Sequence, residues 1–166
     1  MTPFTMKLSE PDYAGHANGT AIRMIDMLIL MACRHGANRL EFRTIAGEFR
    51  IAEIIDNQAF EFPSPPQSIR DTILDYLRLM CRTSSSSDSA ENEVQIDNCV
   101  AKLHLRCESN HDAVVTIVSA FAPTPDYDRL FDSFWQTLPA NTENYGCIRR
   151  ILQKTVNCMN AWRTKR

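Results

Sequence analysis

The stretch that most restricts how this chain can fold is Ala21–Cys33, where apolar residues occupy nearly every helical face. Arg23, Asp26 and, just past it, Arg34 are the main interruptions. A helix that is apolar all round must be buried on more than one side. Either a sheet covers one face and the C-terminal segment another, or the helix forms a subunit contact. Thr20 or Asn18 supplies an N-terminal cap, and Gly36 ends the helix. Two short strands are expected directly afterwards, Leu40–Arg43 and Phe49–Ile55, joined by a turn at Ala46-Gly47. Leu40 and Phe42 alternate with Arg39, Glu41 and Arg43, the period of a half-buried strand. A buried helix feeding a hairpin is the nucleus of a small α+β domain.

The rest of the chain extends that plan. Asp56-Asn57 is a turn signal, since both residue types tolerate left-handed backbone, and a short strand at Ala59–Phe62 can follow it. Ser64-Pro65-Pro66 opens a second helix, where proline suits the first turn. Ile69, Ile73, Tyr76, Leu77 and Met80 fall at helical spacing, with Arg70, Asp71, Asp75 and Arg78 on the other face. Thr83–Asn92 has no aliphatic residue larger than alanine and reads as a flexible loop. Cys99 to Cys107 alternates cleanly, and Ala113–Ala120 is rich in β-branched residues, so a three-stranded meander beginning near Val94 is expected. Pro123 and Pro125 mark a boundary, followed by a helix through Tyr127, Leu130, Phe131, Phe134 and Trp135. A last helix carries Ile148, Ile151, Leu152, Val156, Met159 and Trp162. The expectation is an α+β fold: an antiparallel sheet of about five strands packed by helices, in the order αββαβββ, then two C-terminal helices. It divides into an N-terminal arm (1–19), a core domain (20–122) and a C-terminal helical extension (123–166).

Composition narrows the function more by exclusion than by indication. At 166 residues and 44% hydrophobic, the chain has material for one well-formed core. A net charge of -2 and a pI near 6.1 argue against a nucleic-acid binder, which shows a basic surplus or stripe. No apolar stretch reaches the ~18 residues of a membrane span, and the N-terminus lacks the apolar centre of a secretion signal. A cytoplasmic location is expected. None of the six cysteines forms a C-x-x-C pair, which argues against structural zinc and for reduced core cysteines.

Catalytic motifs are missing. Neither G-x-G-x-x-G nor G-x-x-x-x-G-K-[ST] occurs, nor a G-x-S-x-G elbow or an H-E-x-x-H helix. No cofactor, metal site or catalytic set is therefore expected. His104 and His111 flank a hairpin but read as surface histidines. Asp71 and Asp75, one helical turn apart, read as part of a solvated charge pattern with Arg70 and Arg78. Cys107 and His104 are three apart on a strand, so they point to opposite faces and cannot form a nucleophile–base pair. The aromatic segment Tyr127–Trp135 stands out. Phe131, Phe134 and Trp135 either pack this helix onto the domain or anchor a partner protein, since such aromatics bury much area at low entropic cost.

The order helix, two strands, helix, strand pair over residues 20–120 resembles the N-terminal domain that precedes the motor in type II secretion and type IV pilus assembly ATPases. Where that family has a Gly-Ala-Ser-Asp-Ile-His-type motif, this chain reads Gly36-Ala37-Asn38-Arg39-Leu40-Glu41. Ile54-Ile55-Asp56-Asn57 stands at the family's Arg-Ile-Asp-Gly-like turn, and Tyr76-Leu77-Arg78-Leu79-Met80 is similar to its Ile-Lys-x-Met-like helix end. Leu103-His104-Leu105-Arg106-Cys107 takes the place of its Arg-Val-Ser strand, with Ala113–Val118 as partner. The family's Pro-Gln-Asp-Gly-Arg stretch is replaced by the serine-rich loop, and the nucleotide-binding motor is missing. The resemblance implies a non-catalytic adaptor that docks onto another protein, a secretion or pilus component, without ATP hydrolysis. Two alternatives fit the same pattern. One is a secretion-chaperone-like homodimer that contacts itself through helix 21–33 and binds an extended client. The other is a small-molecule sensor or enzyme with a pocket between sheet and helices.

Overall fold

In the computed structural model, residues 4–7, 19–84, 89–108 and 111–137 are described, together with the helical residues 150, 153 and 157. The elements are β1 (Phe4–Lys7), α1 (Gly19–His35), β2 (Arg39–Ile45), β3 (Glu48–Ile55) and β4 (Gln58–Phe62). They continue with α2 (Gln67–Ser84), β5 (Ser89–Ile96), β6 (Cys99–Cys107), β7 (Ala113–Ala122) and α3 (Tyr127–Thr137). The α+β class and the antiparallel sheet are as the sequence indicates. Six antiparallel strands form it rather than five, in the order αβββαβββα, because the short Gln58–Phe62 segment is a full member. Within the stretch read as an N-terminal arm, Phe4–Lys7 adds β1 as a parallel strand on β5.

Two-residue turns set the register of the first meander. Ala46 and Gly47 have φ of 52° and 82°, and Asp56 and Asn57 have φ of 50° and 63°. Positive φ at both central residues gives a turn whose twist matches that of the flanking strands. It places Ile45 opposite Glu48 and Ile55 opposite Gln58. Asp97, with φ 50°, begins the turn that sets Ile96 opposite Cys99. Antiparallel pairing of β2 with β7 then joins the meander β2-β3-β4 to β5-β6-β7, giving the sheet order β1-β5-β6-β7-β2-β3-β4.

Strand parity sorts the sheet into two faces. Leu40, Phe42, Phe49, Ile51, Leu103, Leu105 and Val115 point inward and are buried. Over this face α1 packs against β2 and β7, α2 against β5 and β6, and the two helices against each other. The other face is a lattice of mixed charge. Arg39 pairs with Glu41 at 2.6 Å, Arg50 with Glu48 and Glu61 at 3.4 and 3.3 Å, and Arg43 and Arg106 share Glu108. The hydrogen bond from Arg43 is the main reason the Glu108 carboxyl sits below its usual range. Exposed pairs of this kind contribute little stability each, but they leave no net charge of one sign on that face.

The loop expected at Thr83–Asn92 is shorter than its composition suggests. α2 runs on to Ser84 and β5 begins at Ser89. Pairing of Ser89–Asn92 with Leu103–Arg106, and of β1 with β5, overrides the low strand propensity of that polar run. The final helix expected through Ile148, Ile151, Leu152, Val156, Met159 and Trp162 rests on residues that lie outside those described; Arg150, Gln153 and Asn157 are helical, and Gln153 donates to Asn157 at 3.2 Å.

α1 ends in a Schellman motif. The Gly36 N–H donates to the Cys33 carbonyl at 3.3 Å and the Ala37 N–H to the Ala32 carbonyl at 2.9 Å, with Gly36 at φ 70°. A Cβ at Gly36 would meet no atom within 4 Å, so backbone conformation alone requires glycine there. Gly36→Ala is expected to cost about 1 kcal/mol, measured by urea denaturation. At Ala46, where left-handed backbone is imposed on an alanine, Ala46→Asn should stabilise by about 0.5–1 kcal/mol, since Asn-Gly is the favoured pair for this turn.

Candidate functional site

β7 is longer than the strand beside it. Its pairing with β2 covers Ala113–Thr116, and one further bond runs from the Ile117 N–H to the Asn38 carbonyl at 2.9 Å. Beyond Ile117 the chain of β2 has already turned toward α1 through Asn38, Ala37 and Gly36. Among the described residues no strand pairs with β7 on that side past this point. The space where β2 would continue is a cleft of about 390 Å³, lined by Cys33 and Gly36–Asn38 on one wall and Thr116–Ala120 on the other. Among the described residues, Val118, at 60% exposure, is one of three large hydrophobic side chains left in solvent, with Ile45 and Leu79. The lining carries no charged residue. Register shifts between Val100 and Leu103 bend the β6–β7 pairing at this level. Such an irregularity re-aims the strand that carries it.

The edge at β4 is guarded. β4 has five residues and is followed by Pro63, and Glu61 on it is held by Arg50. Short length, charge and proline are the devices by which natural sheets discourage a further strand. The β7 edge in the cleft has none of them.

Beneath the cleft lies a buried polar cluster. His35, in the last turn of α1, has its Nδ1 2.9 Å from Oε2 of Glu53 on β3, with side-chain exposures of 8% and 1%. The contact ties the last turn of α1 to β3 of the sheet. Oε1 of Glu53 has no hydrogen-bond partner among the described residues. Cys33 is close enough to feel the Glu53 charge. Burial first, and Glu53 second, push its thiol up to about 12, against a hydrogen bond with the Phe121 backbone that pulls the other way. Cysteine, histidine and glutamate thus sit together, yet the electrostatics run opposite to what a nucleophilic cysteine needs, which is a lowered pKa.

The residues singled out from sequence fall in separate places. Phe131 is buried against the core, with the Arg34 guanidinium 5.2 Å from its ring centroid, and Arg34 also pairs with Asp128 at 2.7 Å. It packs α3 onto α1. Phe134 and Trp135 lie on α3, and their side chains are outside the described residues. Register sets His104 opposite Thr116, with His111 in the turn beyond the strand end. Asp71 and Asp75 bond to Arg70 and Arg78 at 3.3 and 2.9 Å, a solvated helix face. Among the described residues no group of histidine, cysteine and carboxylate side chains is arranged to hold a metal, and no helix is long and apolar enough to cross a membrane. Sequence reasoning did not find the cleft, because it arises from unequal strand lengths in the β2–β7 pairing, which no local pattern encodes. No protein-family model matches this chain, and neither does any curated protein.

Three outcomes follow from the buried cluster. Glu53→Ala, which strands His35 in the core, should cost about 3 kcal/mol, and Glu53→Leu combined with His35→Leu should recover most of it; urea denaturation of both variants checks this. In the native chain Cys33 should resist iodoacetamide at pH 8, where its thiolate is a tiny fraction, and peptide mapping reads the result. Tyr127 is also raised to about 12, mainly by burial. Both groups lose their protons more readily in the unfolded chain. Their contribution to stability is therefore full below about pH 9 and is lost as pH rises toward 12. Cys33→Ala should flatten that decline.

Proposed function

We propose that this chain is a non-catalytic protein-interaction module that binds an extended segment of another protein as a strand added to β7 in the cleft. The observation that carries the reading is the side of β7 facing the cleft at Val118–Ala120, which no strand among the described residues pairs and which borders an uncharged lining beside an exposed valine. Strand addition supplies main-chain hydrogen bonds for affinity and small pockets for alternate side chains. The lining of Gly36, Ala37, Ile117 and Ala120 suits a neutral segment with small or apolar side chains. At the opposite end of the sheet, β1 is itself a lone four-residue strand seated on β5. The same sheet thus accepts an extended segment that no tight turn delivers.

This role is the adaptor function implied by the resemblance to the N-terminal domain of secretion and pilus assembly ATPases, with a secretion or pilus component as the docking partner. The chaperone-like alternative also binds an extended client, but the burial of α1 within a single chain disfavours a dimer contact through it. Met24, Ile25, Met27, Leu28, Ile29 and Met31 are all at 1% exposure or less within a single chain. A sensor reading would use the same cleft, whose volume falls in the range of ligand sites. It finds no converging charged groups there to orient a ligand.

The reading is tested by selecting binders from a library of unstructured peptides on the purified chain. Amide hydrogen exchange of the complex with a selected peptide then locates it. Protection confined to Val118–Ala120, with at least a tenfold loss of affinity in the Val118→Asp variant at unchanged unfolding midpoint, is the expected result. Protection on α3 instead would move the binding surface to the helix of Phe134 and Trp135. Failure to select any peptide would contradict the strand-addition reading.

A further inference from the structure

The thiols of Cys81 and Cys107 lie 3.0 Å apart. Their meeting follows from two periodicities. Cys81 is one helical turn past Leu77 on the buried side of α2, and Cys107 continues the inward parity of Leu103 and Leu105 on β6. α2 packs on β6, so the last turn of the helix faces the last residue of the strand. Cys81 is buried at 2% exposure, whereas Cys107 is half-buried beside the turn that follows β6. Closing a bond of about 2.05 Å between them takes about 1 Å of movement, within the reach of side-chain rotation at a strand end.

The geometry points to Cys81 and Cys107 as an oxidisable dithiol, with Cys107 the attacking thiol and Cys81 the resolving one, and a hydroperoxide as the oxidant. The Cys107 thiol gives up its proton and its thiolate attacks one peroxide oxygen; the O–O bond breaks, Cys107 becomes a sulfenic acid, and the other oxygen leaves as hydroxide that takes up the released proton to become water. Cys81 then attacks the Cys107 sulfur. The S–O bond breaks, the hydroxide takes the Cys81 proton and leaves as a second water, and the S–S bond forms. Two thiols lose two electrons and one hydrogen peroxide gains them. Exposure assigns the order, because the oxidant can reach Cys107 and only a neighbouring sulfur can reach Cys81. The product would lock the C-terminal turn of α2 to the end of β6 and close a ring across a sequence separation of 26. A closed ring limits the unfolded ensemble, so the oxidised chain should be the more stable form.

The test uses the full reduced chain, treated with hydrogen peroxide and quenched by alkylation. Expected are an intact mass lower by two hydrogens and a tryptic pair joining Leu79–Arg82 to Cys107–Arg129. The unfolding midpoint should rise by about 5–10 °C and fall back on reduction. In Cys81→Ser the pair should be absent, and Cys107 should instead carry added oxygen. Cys107→Ala, at the more exposed position, should abolish both the link and the midpoint rise if Cys81→Ser does not fold. Recovery of Cys107 as a sulfinic acid in the native chain with Cys81 still open to alkylation after unfolding would overturn the inference. So would a disulfide formed instead through Cys147 or Cys158.

Discussion

Burial of α1 on every side is the constraint from which the rest of the structure follows. A helix carrying Met24, Ile25, Met27, Leu28, Ile29 and Met31 with almost no exposed surface removes several large apolar side chains from water. Each contributes roughly 2 kcal/mol. That gain requires a sheet below and α2 alongside, and Phe131 of α3 adds to the same core. The sheet in turn must be wide enough to cover two helices. Pairing β2 with β7 provides this by fusing two meanders that would each be too narrow alone. The abrupt end of α1 at Gly36 then sends the chain straight into β2, one of the two central strands of the six antiparallel ones.

The same abruptness produces the cleft. Because Gly36, Ala37 and Asn38 turn the chain within three residues, β2 starts late relative to its neighbour, and β7 runs on past it with no described strand alongside. The central strand pair is therefore complete where the core needs it and incomplete at one end. The His35–Glu53 pair joins the last turn of α1 to the sheet near that end, beside the buried Cys33 and Ala37. A binding edge placed there stands on rigid elements rather than on a long loop, which favours a docking role.

Much of this was legible in the sequence. The apolar helix, the Ala46-Gly47 and Asp56-Asn57 turns, the alternation through Leu40 and Phe42, and the long strand Cys99–Cys107 all carry local signals that the fold obeys. Elements defined by partners rather than by their own residues were not legible. Ser89–Asn92 is polar and reads as loop, but becomes a strand because β6 and β1 both pair with it. Glu53 has no apolar side chain to mark it as inward-facing, yet it points inward because strand parity places it there and His35 receives it. Phe131 belongs to an aromatic run that suits either core or interface, and only its position against Arg34 places it in the core. The cleft depends on a difference in strand length across residues more than seventy positions apart, and the Cys81–Cys107 contact on how a helix lies across a sheet. Neither leaves a mark in any short window.

The most direct test of the account is amide hydrogen exchange on the free chain, since it reads both the buried helix and the open edge in one experiment. Amides of Ile25–Met31 and of Val115 should exchange only through global unfolding, while those of Val118–Ala120 that face the cleft should exchange orders of magnitude faster. Equal protection of Val118–Ala120 and Val115 would mean that the edge is already paired in solution. The cleft would then have no strand to offer a partner.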